Sequence, residues 1–174
     1  MPPVRETADV TDQAFHGCTK PAADQIVQEG FRLPGFNSEN RYGNAVYFWM
    51  GSKEQAAWWA KRRCAKGTIV TILGSQVAYG LHLNVATWEA QKLMKKVASE
   101  IAQRQKTTEV TEAAVLNFLA SKGWIETALV VDIPQTAATK LFTSSHSLEG
   151  TRLILCVYRL EKILNSRIVL EEAA

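Results

Sequence analysis

The chain has 174 residues, with 20 Lys and Arg against 17 Asp and Glu, a formal net charge of +3 and 47% hydrophobic residues. That is ordinary globular usage for a single domain over 1–174, and it excludes a disordered tail, a collagen-like chain and a solenoid array. No apolar run reaches the roughly 18–20 residues of a membrane helix, so no membrane partner is expected.

Residues 1–13 are polar and contain no secretory leader, which predicts a loose N-terminal arm. A short strand follows over 14–17, ending in His16 and Gly17. Thr19, Lys20 and Pro21 open a helix that Gly30 ends. Residues 32–44 carry Pro34, Gly35, Asn37, Ser38, Asn40 and Gly43, a loop by composition. An aromatic strand is predicted over 45–49. Ser52 caps a second helix that runs to Lys66, with Glu54 in its first turn and Gly67 after it. Separate strands are predicted over 68–73 and 77–83. Asn84 caps a long amphipathic helix over 85–105, and another helix over 111–121 ends at Gly123. Further strands are expected over 129–133, 139–142, 153–158 and 167–170, with a loop over 144–150. Strands and helices do not alternate regularly, which argues for an α+β fold rather than a doubly wound sheet.

Cys18, Cys64 and Cys156 are odd in number and lack CxxC spacing, and His16, His82 and His146 lie far apart. These counts predict free thiols, a cytoplasmic location and no metal site. Chemistry is concentrated earlier in the chain. Gly17 permits close approach to the backbone, the loop arginines Arg32 and Arg41 suit phosphate, and Tyr47 and Trp58 offer aromatic faces. Such a cleft suits a flat heteroaromatic ring bearing a carboxamide. Taken singly, each residue also has a plainer use: a structural histidine, two core aromatics, a surface arginine. Lys61, Arg62, Arg63 and Lys66 form a positive cluster that suits either a solvated helix face or nucleic-acid contact. Ser144, Ser145, His146 and Ser147 lack a strand–elbow–helix setting and read as a hydrophilic loop.

In combination, FHGCTKPAADQIVQEGFRL followed by YGNAVYFWMGSKEQAAWWA resembles the catalytic domain of poly(ADP-ribose) polymerase-like ADP-ribosyltransferases. The likeness is good over residues 14–60. It implies two packed mixed or antiparallel sheets, flanking helices and a central cleft for NAD, which is the substrate. It also implies that His16 bonds a ribose hydroxyl, Gly17 holds the nicotinamide carboxamide, and Tyr47 and Trp58 stack on the ring. Arg32 falls near the adenosine end, and residues 33–44 form the donor loop. Cys18 stands where the family has Ser or Thr, Ala45 replaces a glycine, and Gln55 replaces a serine that bonds the carboxamide.

The family's third signature position, a glutamate, aligns with Ile154; Glu149 is the alternative and requires a gap. With Ile154 there, the resemblance implies mono-ADP-ribosyl transfer from NAD to a macromolecular acceptor, protein or nucleic acid, by a microbial toxin or effector type of enzyme, possible delivery into a target cell included. With only 15 residues before His16, no preceding helical regulatory domain is expected, and none of the DNA-break control that goes with it. The alternatives are a non-catalytic module binding NAD, ADP-ribose or RNA, and an NAD-dependent RNA 2′-phosphotransferase. The latter's Arg-His pair is absent, because Phe15 precedes His16.

Overall fold

The structure, a computed structural model, describes residues 3–35, 40–132 and 152–174. Two 16-residue strands organise it: β1 (Val4–Thr19) and β3 (Ile69–Asn84). They pair antiparallel from Val4 opposite Leu83 to Thr19 opposite Val70, with register shifts between Thr7 and Val10 and between Thr11 and Ala14. Irregularities of this kind bend and twist a ribbon. The expected loose arm is therefore strand: residues 4–7, 10 and 11 have partners in β3 that a polar composition did not reveal. The two strands expected over 68–73 and 77–83 are likewise one, continuous through Gly74, whose missing side chain leaves room for Val169.

Between these strands the chain forms α1 (Lys20–Glu29), β2 (Val46–Met50) and α2 (Lys53–Arg63). After β3 come α3 (Trp88–Gln105), α4 (Glu112–Ser121), β4 (Thr127–Asp132), β5 (Arg152–Val157) and β6 (Ile163–Ala173). Local signals place the helices well. Pro21 occupies the first turn of α1, and Gly30 follows it at φ +84°. Ser52 Oγ accepts from the Gln55 N–H at 3.1 Å at the start of α2. In α3 the cap is Thr87 rather than Asn84, because Asn84 accepts from Ala86 N–H in a turn that delays the helix.

Among the described residues the strands form one sheet in the order β1-β2-β5-β4-β3-β6, and β1 also pairs with β3. Five strands thus close into a barrel with β6 outside it along β3. The expected pair of packed sheets is corrected to a single closed one. The reason lies in β3, whose edge away from β1 carries β6 over 69–77 and then β4, in parallel, over 82–84. The α+β class stands. Expected strand 139–142 and loop 144–150 lie outside the described residues.

Burial divides into two apolar layers. Ala14, Val46, Phe48, Val77, Leu155 and Val157 come from four strands of the closed sheet and fill the barrel. A larger cluster lies between the outside of the barrel and the helices, with Ala56, Ala60, Val97, Ile101, Leu116 and Leu119 on the helix side. Period-two alternation assigns β2 accordingly: Val46 and Phe48 face inward, while Tyr47 and Trp49 face the helix layer.

Candidate functional site

The barrel is not zipped evenly. Strands β1 and β2 pair only where Ala14 and Phe15 meet Met50 and Trp49, with the Gln13 carbonyl accepting from Gly51 N–H at 2.8 Å just before. From His16 onward the two strands part. A cavity of about 620 Å³ opens there, within the size range of small-molecule sites.

The gap has a defined edge. Alternation along a strand gives Gln13, Phe15 and Gly17 the same backbone orientation. The N–H and C=O of Gly17 therefore face the space from which β2 has withdrawn, one donor beside one acceptor. Gly17 is also required by packing. A Cβ at this position would stand 2.3 Å from the Ala56 carbonyl oxygen and 2.9 Å from Ala60 Cβ, so the glycine lets α2 approach β1 through its small residues.

His16 bridges the parted strands. Its Nδ1 lies 2.9 Å from the Tyr47 carbonyl oxygen. A carbonyl only accepts, so Nδ1 carries the proton and donates, and neutral His16 keeps Nε2 as an acceptor. The ring is held edge-on by Phe31 at 5.2 Å and Phe48 at 6.0 Å between centroids. Loss of water around it lowers its pKa below 6.5, against the smaller upward pull of the Tyr47 bond. At neutral pH the imidazole is uncharged.

Tyr47 presents its ring to the cavity, and its hydroxyl donates to the Gly43 carbonyl oxygen. That bond ties β2 back to the turn before it. Burial raises the phenol well above its usual value, so Tyr47 stays protonated. The turn is itself anchored: Asn117 Oδ1 accepts from Asn44 N–H at 2.7 Å, and Gly43, at φ +91°, has no room for a side chain beside Asn117. Ile154 stands on β5 directly across from Trp49 and lines the same cavity. The charged side chains along its wall are Arg32, Arg41 and Arg63; among the described residues, the wall contains no Asp or Glu.

A scan against protein-family models, a search of curated proteins and a search of solved structures each return no match. Any functional reading therefore rests on the residues themselves. His16, Gly17, Arg32, Tyr47 and Ile154, which are scattered over most of the chain length, border one cavity.

Other expected site residues do not join them. Trp58 is outside the wall, and Trp59 takes its place, 5.8 Å from Trp49 between ring centroids. The reason is the rotation of α2. Ala56 and Ala60 dock on Gly17, which turns residues 59 and 63 toward the gap and residues 58 and 62 away. Gln55 lies one turn earlier and does not reach the wall. Cys18 is also off the wall; burial, with Cys64 nearby, pushes its thiol up to about 11, so it is no thiolate at neutral pH. Glu149 lies outside the described residues, as do His146 and residues 36–39 of the expected donor loop. Sequence reading overlooked Phe31, Tyr42, Trp49 and Trp59 as wall residues. Trp49 was findable, since it is two residues from Tyr47 on a strand and so shares its face.

A direct comparison checks the helix rotation. Trp59→Ala is expected to weaken the binding of any flat aromatic ligand that the cavity takes by about 1–3 kcal/mol, the scale of stacking on an aromatic face. Trp58→Ala is expected to leave that affinity within about twofold, as read by calorimetry. Equal losses in both variants would contradict this placement.

Proposed function

We propose that this α+β domain is a variant ADP-ribosyltransferase fold whose cleft is the gap between β1 and β2, and that it transfers a single ADP-ribose from NAD to a macromolecule, releasing nicotinamide. The observation that carries the reading is the convergence of His16, Gly17, Tyr47 and Ile154 on one aromatic cavity whose only charged side chains, among the described residues, are arginines.

Each group has a role its chemistry allows. The free donor and acceptor of Gly17 match the C=O and NH₂ of a carboxamide. The rings of Tyr47 and Trp59 flank a flat heteroaromatic group. Neutral His16 accepts a ribose hydroxyl at Nε2, orienting the sugar. Arg41 and Arg63, with Arg32 held by Glu29 Oε2 at 2.7 Å, put guanidinium groups on the wall where a pyrophosphate would lie. In the reaction the bond between the nicotinamide nitrogen and the ribose breaks, and its electron pair leaves with nicotinamide. The ribosyl centre, cation-like as in glycoside cleavage, bonds to the acceptor atom, which gives up its proton. Positioning and exclusion of water do most of the catalytic work available to such a wall.

Ile154 supplies no carboxylate to activate a ribose hydroxyl for chain growth. Modified acceptor is therefore expected to gain mass in single ADP-ribose units, read by mass spectrometry, with no ladders. Glu149→Gln is expected to reduce activity less than about tenfold. A loss on the order of 3–4 kcal/mol in transition-state stabilisation would instead make Glu149 the third signature residue.

One observation favours a second reading. A wall without Asp or Glu among the described residues is also suited to holding a dinucleotide without cleaving it. Incubation with NAD labelled in the nicotinamide ring decides: release of labelled nicotinamide supports the transferase, and binding without release supports the module.

A further inference from the structure

The cavity wall continues onto the surface as a ladder of indoles and guanidinium groups. Trp49 and Trp59 lie at the cavity, and Trp59 meets Trp58 at 6.4 Å with the rings inclined by 38°. Trp58 and Trp59 are each 39% exposed, a large apolar area to leave in water. Cations interleave with them. The Arg152 guanidinium carbon is 4.1 Å from the Trp58 centroid and 5.7 Å from that of Trp49. Arg62 lies over Trp58 at 4.9 Å, and Arg63 over Trp59 at 5.6 Å.

A plainer account covers part of this. Basic residues in the last turn of α2 favour its negative end, and an arginine shields an exposed indole. It does not explain Arg152, which comes from the start of β5, on a different element, and spans two of the same three indoles.

We propose that this ladder docks single-stranded nucleic acid and presents it to the cavity as the acceptor, an inference that rests on the transferase reading above. Charge and shape select this partner. Guanidinium groups suit phosphates, and indoles that stay 39% exposed beside their arginines suit unpaired bases, every one of which has a π-face and can stack on an indole or on a guanidinium plane. An acidic protein segment would use the cations and leave the stacking faces idle. A duplex keeps its bases stacked internally and cannot use them either. Trp58, Arg62 and Arg152, which lie off the cavity wall, would carry the strand, and the contact of Trp58 with Trp59 leads a docked base toward the cavity.

The test uses fluorescent single-stranded oligouridylate and oligothymidylate, which separate RNA from DNA. Anisotropy without NAD is expected to show binding that weakens with salt. Trp58→Ala and Arg62→Ala are each expected to weaken it about tenfold or more, and Arg62→Ala to lower the salt slope by about one. With labelled NAD, the oligonucleotide is expected to take the label and nuclease to remove it. Arg62→Ala should cut that labelling while nicotinamide release in the absence of acceptor stays near wild type. The inference is overturned if NAD is cleaved but oligonucleotides neither bind nor take label, or if the label resists nuclease and is removed by protease. If NAD is not cleaved at all, the transferase reading fails and the acceptor role with it. The anisotropy then decides the docking surface alone, binding sensitive to Trp58→Ala supporting it and no binding rejecting it.

Discussion

His16→Ala is expected to lower nicotinamide release from NAD by roughly 10²–10³-fold, the cost of removing one well-placed polar contact from a transition state. The fold is expected to survive. The imidazole makes one hydrogen bond, to the Tyr47 carbonyl, and two edge contacts with Phe31 and Phe48, so the stability loss should stay within about 1–3 kcal/mol. Tyr47→Ala is expected to be as damaging to activity, because the ring wall goes; Tyr47→Phe keeps the ring and loses only the bond to Gly43. Near-native activity in both alanine variants would remove the site.

The same histidine sets a pH dependence. Its folded pKa is lowered from 6.5, so the unfolded chain binds the proton more readily. Its contribution to stability is present above pH 6.5 and is lost as pH falls toward the lowered folded value. Catalysis should follow the same direction, since an imidazolium has no lone pair to accept a ribose hydroxyl. Activity is therefore expected to persist somewhat below pH 6.5 and then fall. His82, also lowered by burial, adds to the acid loss of stability and not to that of activity. A thermal-melt series across pH 4–8 on wild type and His16→Ala separates the two.

Gly17→Ala carries the largest expected effect on the fold. In an ordinary strand this change stabilises by roughly 0.5–1 kcal/mol, because glycine has more freedom to lose. Here the added Cβ would stand 2.3 Å from the Ala56 carbonyl oxygen, a backbone atom that a rotamer change cannot move. Helix α2 would have to lift from β1. A cost of about 3 kcal/mol is expected, the upper end for overpacking, with nicotinamide release lost as Trp59 and Arg63 move off the gap. Urea midpoints measure it. An unchanged or raised midpoint would mean that α2 does not lie against Gly17.

How much of this was legible beforehand differs between elements for physical reasons. Helices α1, α2 and α4, and strands β2 and β5, were readable because their signals are local: a proline in the first turn, Ser52 accepting at a cap, a run of apolar residues. His16, Gly17, Tyr47 and Ile154 were readable as candidates because residue type and order carry the resemblance. Sequence could not show that residues 4–13 are strand, since their polar side chains obscure a pairing made by the backbone with β3. Nor could it show that one sheet closes, because closure depends on β3 sharing an edge between β4 and β6. The exchange of Trp58 for Trp59 has the same origin. Helical spacing fixes the 100° between them, but only the docking of Ala56 and Ala60 on Gly17 decides which indole meets the cavity and which is left to the surface. Sequence determined what chemistry the chain has to offer; the tertiary contacts of a few small residues decided where it points.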